Sequence, residues 1–300
     1  FWFMGSLGFM GNNLGSILLA LLIVVALSVW ATRRLEQPLG QWLMANRQQI
    51  IITELLFFGL FALWVWVRAQ NPTILNTEKP MEFAFLNSIG RSTQFPPLDP
   101  WLSGYSISYY YFGYLQAGIL TASAGVPAST GYNLSLAYTF GAAAAGIASL
   151  AFALARWALG SRARNWAIWA GSLAVAFLLF VGSLSAIFEW SAAHGNYNRG
   201  VYEAFGVEWM IPCTPGQQGE CYTGAAENRT TAWYPTEFWF WWRGSRIIPN
   251  TITEFPFFSF LLGDLPPHVM SIPLVLLSLG LSASVWRGRR RLAWATHRAH

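Results

Sequence analysis

The stretch FPPLDPWLSGYSISYYYFGYLQ, Phe95–Gln116, decides how many times this chain crosses a membrane. It opens with Pro96 and Pro97, sets Asp99 and Trp101 on either side of Pro100, and ends on Tyr109, Tyr110 and Tyr111. A lipid-facing helix has little use for so many hydroxyls at its start. A plain loop has little use for so much aromatic surface. Tyr and Trp favour the membrane–water interface, so the stretch reads as a helix lying at that depth.

The surrounding composition gives the setting. Of 300 residues, 54% are hydrophobic and only 10% are charged. A soluble domain carries about 25% charged residues. Apolar runs of roughly 20 residues, the length that crosses a bilayer, recur along the chain. The expected spans are residues 14–30, 50–67, 132–155, 166–188 and 269–286. The fold class is an all-α integral membrane protein, a multispanning bundle in one membrane domain over residues 1–300. The first ten residues, FWFMGSLGFM, read as the end of a helix whose beginning is missing, so a longer parent chain is expected. No cleavable signal peptide is read there, because nothing basic precedes the run.

Charge placement fixes the sidedness. Basic residues cluster in TRRLEQPLGQWLMANR, in RWALGSRAR and in RGRRRLAWATHR. The positive-inside rule makes all three segments cytoplasmic. That works only if Ile107–Gly125 does not cross, so this segment is expected as a juxtamembrane or re-entrant helix on the outer face. The alternative is a sixth crossing with a weak charge rule. Two large outer loops then run over residues 68–131 and 189–268. Eleven of the 13 acids fall in them, Glu36 is cytoplasmic and Glu54 lies within a span. The net charge of +5 is therefore a topology signal, and no nucleic-acid partner is expected. Membrane lipid is the expected environment. Cys213 and Cys221 enclose TPGQQGE in the second outer loop and read as a disulfide-closed hairpin in an oxidising space. Asn228-Arg-Thr is a short glycosylation-like pattern in the same loop.

Two polar groupings offer chemistry. TEKPMEF carries Glu78 and Glu82 four residues apart, on one face if helical. Asp99 sits between prolines, which fix its backbone for an aimed side chain. Such carboxylates act as a general base or hold a divalent cation, Mg2+ or Mn2+. The structural alternative is a solvated face for Glu78 and Glu82, and a turn cap for Asp99. The second grouping is FWFWWRGSRIIPNTITEFPFFSFLLGDLPPHVMSIPL. Arg243 and Arg246 suit phosphate. Glu254 opens EFPFF, and Asp264 and His268 bracket two prolines before the last span. An Asp and a His so spaced exchange protons or bind metal. The alternatives here are an aromatic belt, lipid-headgroup contacts and a helix cap.

TEKPMEFAFLNSIGRSTQFPPLDPWLSGYSISYYYFGY and ITEFPFFSFLLGDLPPHVMSIPL resemble the two signatures of a prokaryotic multispanning family known for its YYY motif, and RQQIIITELLFFGLFALWVWVRAQNP is similar to the span before the first. One departure is that the family shows Asp-Leu-His-Pro-His where this chain has Asp264-Leu265-Pro266-Pro267-His268, so a paired-histidine role is not carried over. Glu82 stands where the family often has Asp, which keeps the carboxylate. That family in turn is predicted to resemble the GT-C membrane glycosyltransferases, which take a sugar from a polyprenyl-phosphate carrier on the outer leaflet. The resemblance implies a prokaryotic plasma-membrane protein with an extracytoplasmic active face. It implies an acid of the first outer loop at Glu82 or Asp99 and a second acid at Asp264. In that arrangement Glu82 or Asp99 is the base, and Asp264 with His268 orients the acceptor or a metal. Arg243 and Arg246 hold the carrier phosphate. Trp101, Tyr109, Tyr110 and Tyr111 form a platform for the sugar. A non-catalytic subunit of a membrane complex is the rival reading, consistent with Pro266. A transporter would set its charges near the midplane, and only Glu54 is embedded.

Overall fold

The computed structural model describes residues 1–34, 38–160, 163–207, 230–234, 236, 239–246, 248 and 251–297. Among the described residues all regular structure is helical, apart from one isolated bridge between Leu98 and Ser106. In chain order the helices are α1 (Trp2–Ser6), α2 (Leu14–Thr32), α3 (Leu39–Gln70), α4 (Lys79–Arg91), α5 (Phe112–Ala124), α6 (Ala128–Leu159) and α7 (Arg164–Ala176). A π-helical turn over Phe177–Val181 follows, then α8 (Ser185–Ala193), α9 (Arg199–Ala204), α10 (Trp239–Gly244), α11 (Pro256–Leu262), α12 (Pro267–Met270) and α13 (Ile272–His297).

Five of these stretches are long and apolar enough to cross a bilayer: Leu14–Thr32, Leu39–Gln70, Ala128–Leu159, Arg164–Val181 and Pro267–Gly288. The chain is an all-α multispanning membrane protein. The second helix starts earlier than its apolar core, because LGQWLMANRQQ holds no proline and simply continues it. The fourth ends earlier than residue 188. Gly182 stops it at φ 59° and ψ −137°, a conformation reserved for glycine, and the Phe255 ring fills the space a Cβ would take. Phe188 therefore belongs to a separate helix, α8.

The helix of the tyrosine-rich stretch is shorter than a crossing. This helix, α5, has 13 residues, which at about 1.5 Å per residue reaches roughly two-thirds of a ~30 Å hydrocarbon core. Before it, residues 97–107 fold into a closed loop: Asp99 N–H donates to Tyr105 O and Ile107 N–H to Pro97 O. Gly125, at φ 66°, ends α5 in the left-handed cap that glycine favours, and Pro127 starts α6.

Contacts divide the chain into two compact units, residues 1–175 with 263–300, and residues 176–262. In the first unit α3 and α6 pack along their length. Trp64 stacks on Phe140 with ring centroids 4.0 Å apart, and Gly141 lets the Phe57 carbonyl approach to where a side chain would stand. Small residues at a helix interface substitute for the hydrophobic drive that lipid removes. α13 closes on α6 through Leu276 beside Gly146. α4 and α5 cover one end of α6: Tyr114, Leu115, Tyr132 and Leu136 are fully buried there. By contrast α2 buries none of its residues. In the second unit α8 and α9 share a small core of Ala192, Tyr202 and Val207, with the Tyr202 hydroxyl donating to Phe188 O at 2.6 Å.

Candidate functional site

The site in the first unit grows from three helix ends. Arg68 lies in the last turn of α3, Tyr132 in the second turn of α6, and Gly263–Leu265 just before α12. α4 is laid over them, and its amphipathic spacing turns Lys79, Glu82, Phe85, Leu86 and Ile89 inward. Glu82 is therefore an acid on a core face, with no exposure at all.

Burying a carboxylate demands partners. One oxygen, Oε2, accepts from the Tyr132 hydroxyl at 2.5 Å and from the Leu265 amide at 2.8 Å. The Tyr132 hydroxyl also lies 3.2 Å from Gly263 O. The other oxygen, Oε1, is buried and has no hydrogen-bond partner. Burial pushes the carboxyl up to about 7, against the lowering effect of the Tyr132 and Leu265 hydrogen bonds; the nearby Asp264 and Glu78 charges raise it further. The Tyr114 hydroxyl is likewise buried without a partner. Burial, with the charge of Glu82 close by, holds it far above its ordinary range.

Asp264 is buried beside this acid and takes a 2.6 Å hydrogen bond from the Thr77 hydroxyl. Thr77 and Asn76 both adopt left-handed backbone, at φ 54° and 65°. For a β-branched residue that conformation is strained, of order 1–3 kcal/mol, and it places the hydroxyl on Asp264. Arg68 is buried as well: Nε donates to Asn133 Oδ1 at 2.9 Å, and the guanidinium sits where a side chain on Gly263 would be. Gly263 combines φ 83° with that contact, so glycine is required twice over. Lys79 is buried too. Burial lowers its ammonium from the usual value, and Asp264, Arg68 and Glu82 are its charged neighbours, Asp264 and Glu82 raising it and Arg68 lowering it.

The aromatic stretch borders this acid. Phe85, one turn after Glu82, stacks on Tyr109 with centroids 5.5 Å apart and meets Trp101 edge-on at 5.6 Å. Tyr109 in turn touches Tyr110. Trp101 and Tyr110 are largely exposed, so rings stand free around a buried carboxylate. Tyr111 accepts a hydrogen bond from the Trp2 indole at 2.9 Å, which ties the N-terminal helix to the start of α5. Asp99 is used differently from Glu82: its Oδ1 accepts from the amides of Trp101 and Leu102 at 2.8 and 2.9 Å, the geometry of a turn cap. Glu78 is exposed at the start of α4, and His268 is exposed in α12.

A family model described as an uncharacterized membrane protein matches residues 1–299 of this chain. The chain belongs to that family, DUF2298. No curated protein and no solved structure matches it at a significant level. The remaining expected residues of this DUF2298 chain lie in its second unit. There Arg243 is buried and grips Glu189, itself fully buried, through both Nε and Nη2. Its guanidinium is occupied by that carboxylate and has no exposed face for a phosphate. Arg246 lies 4.1 Å over the Trp242 ring and donates to Ser245 Oγ at 2.5 Å. Glu254 accepts from Ser259 at 3.1 Å. An open groove of about 360 Å³ in this unit is lined by Phe188, Asn196, Tyr197 and Tyr202 and carries no acid or base. Cys213, Cys221 and Asn228 fall outside the described residues.

Of the expected residues, then, the fold brings together Glu82 and Asp264, with Tyr109 and Trp101 alongside through Phe85. The sequence reading missed Tyr132, Tyr114, Arg68, Thr77 and Lys79. Lys79 had a signal: it is the one lysine among 18 basic residues.

A divalent cation fits this donor set poorly. Among the described residues no three His, Cys, Asp or Glu side chains gather as ligands. The two acids that do meet have Lys79 and Arg68 as charged neighbours.

Proposed function

We propose that the chain is a membrane glycosyltransferase that takes a sugar from a polyprenyl-phosphate carrier at the extracytoplasmic face. The observation that carries this reading is Glu82: a buried carboxyl pushed up to about 7, with one oxygen held by two donors and the other buried without a hydrogen-bond partner. A general base works best when its pKa lies near the working pH. Ionised Glu82 would take the acceptor hydroxyl proton on Oε1 as the acceptor oxygen bonds to the anomeric carbon. The bond from that carbon to the phosphate oxygen breaks, and the polyprenyl phosphate leaves with the electron pair. Asp264 would orient the acceptor. Trp101, Tyr109 and Tyr110 offer ring faces on which a sugar's C–H groups stack. The site stands at the ends of membrane-crossing helices, where a lipid-borne donor would arrive sideways. A second reading, a non-catalytic subunit of a membrane assembly, is favoured by α2, which buries nothing within this chain.

The test is sugar transfer in proteoliposomes loaded with a polyprenyl-phosphate sugar. Glu82→Gln keeps the shape and removes the base. It is expected to lower the rate by about 100-fold or more, the usual contribution of a general base. A variant that transfers sugar at the wild-type rate would sink the assignment of Glu82.

A further inference from the structure

We propose that Tyr132 is the positioning residue of the Glu82 acid in both of its charge states. Its hydroxyl donates to Oε2 when Glu82 is ionised and turns to Gly263 O when Glu82 is neutral, so that the proton of the neutral acid rests on Oε2. The inference deepens the reading above and rests on it only for the use of Glu82 as a base.

One hydrogen here faces two acceptors. A phenol has a single O–H to give. The Tyr132 oxygen lies 2.5 Å from Glu82 Oε2 and 3.2 Å from Gly263 O. Against a carboxylate the hydrogen points at Oε2, because a hydrogen bond to an ionised group is the stronger one. The Gly263 carbonyl is then the second place for it. Gly263 presents that carbonyl from a backbone at φ 83°, and the Tyr132 ring is fully buried with Phe83 edge-on at 6.2 Å. With the ring fixed, only the hydroxyl hydrogen has to move.

The two oxygens of Glu82 stop being equivalent once a proton arrives. Oε2 has the Tyr132 oxygen beside it as an acceptor, whereas Oε1 is buried with no hydrogen-bond partner. A buried donor left unmade is costly, which favours the proton on Oε2. Oε2–H then donates to the Tyr132 oxygen, and the Tyr132 hydroxyl donates to Gly263 O. The Leu265 amide can only donate, and it keeps the remaining lone pair of Oε2 in either state. The added proton comes from water, and Tyr132 keeps its own. In the ionised form both donors sit on Oε2, which leaves Oε1 for the transfer reaction. In the neutral form the resting acid stores its proton on the oxygen that the reaction does not use.

Other titratable groups surround the acid. Glu78 and Lys79 lie on α4, Tyr109 before α5, Tyr114 on α5 and Asp264 before α12, with Arg68 of α3 beside Lys79 and Asp264. They move the pH at which Glu82 titrates, whereas Tyr132 sets which oxygen holds the proton.

The experiment takes infrared difference spectra of the full chain in lipid nanodiscs on acidification, with Glu82→Gln identifying the Glu82 carboxyl band. A carbonyl stretches at lower frequency the more hydrogen bonds it accepts. With the proton on Oε2, the C=O is Oε1, so the band is expected at the unbonded, high-frequency end. Tyr132→Phe is expected to leave that frequency in place and to make Glu82 a severalfold weaker acid, because the ionised form loses the stronger bond. A low-frequency wild-type band overturns the proposal, since it puts the C=O on Oε2 under two donors and the proton on Oε1. So does a band that rises in frequency in Tyr132→Phe, or a titration midpoint that stays or falls. Should Tyr132→Phe fail to fold, the wild-type band decides alone. A high-frequency band in a protein that never transfers sugar would keep the Tyr132 arrangement and remove the transferase reading. Glu82-dependent sugar transfer with a low-frequency band would do the reverse.

Discussion

Glu82 in the first unit and Glu189 in the second are both completely buried acids, and the protein treats them in opposite ways. Glu189 has Arg243 clamped onto it. Glu82 is held by neutral donors only, the Tyr132 hydroxyl and the Leu265 amide, and two cations nearby, Lys79 and Arg68, do not close on it. A buried acid paired with a cation holds a fold. A buried acid held by neutral donors alone costs stability, and chains retain such costs where chemistry or binding uses them. The difference separates a structural element from a site more reliably than the mere presence of a carboxylate.

The comparison breaks most visibly if the clamp is removed. Arg243→Ala leaves Glu189 as an unpaired charge in the interior, an effect of about 3–5 kcal/mol. Thermal unfolding of the purified protein should register it as a large drop. Replacing Glu189 by Leu and Arg243 by Met together should recover most of the loss, because two apolar side chains need no partner. A single Arg243→Ala variant with wild-type stability would mean that the pair does not hold the second unit.

The same operation on Glu82 should have the opposite sign above neutrality. Its folded pKa of about 7 lies above the value of 4.5 for a free glutamate, so the folded state binds the extra proton between those limits. Stability therefore falls as pH rises from about 4.5 through 7, by roughly 3 kcal/mol if Glu82 acts alone. Lys79, Arg68, Asp264 and Glu78 face the same group and moderate the slope. Glu82→Gln cannot ionise. It should match the wild type near pH 4.5, exceed it in melting temperature at pH 8, and show a flatter profile between. A wild-type profile with no such decline would place the Glu82 carboxyl in its ordinary range and remove the physical basis for a base at neutral pH.

Much of this was legible in the chain itself. Apolar runs were enough for five helices of crossing length and for a separate, shorter tyrosine-rich helix, because length and apolarity are local properties. Glu82 and Asp264 were legible as candidates, since acids inside proline-broken apolar segments are uncommon. Their meeting was not, because it depends on α4 lying across the ends of α3 and α6 and on Leu265, 183 residues from Glu82, reaching its carboxylate. Tyr132 looked like any residue of an apolar helix. Arg243 and Arg246 looked like a phosphate clamp for the same reason in reverse: a buried ion pair needs its partner's position, and Glu189 lies 54 residues away. Gly182 shows the limit of hydropathy. Nothing in the apolarity of FLLFVGSLSAIF marks the break that one glycine conformation makes.

The smallest expected effect sharpens the contrast between two acids of the segment that joins α3 to α6. Asp99 and Glu82 were equal candidates for the base. Asp99 Oδ1 holds the amides of Trp101 and Leu102, and Trp101 is one of the rings beside Phe85. Asp99→Asn keeps an acceptor oxygen in the same place, so stability and sugar transfer should both stay within about twofold of wild type. Asp99→Ala removes the cap, at a cost of about 1 kcal/mol, the order seen for side-chain caps of backbone amides. Any loss of transfer in Asp99→Ala should then appear as weaker donor binding, through a misplaced Trp101, with the pH profile unchanged. If Asp99→Asn instead removes transfer and leaves stability intact, the roles exchange: Asp99 is the base, and the buried carboxyl of Glu82 is there to hold α4 against Tyr132 and Leu265.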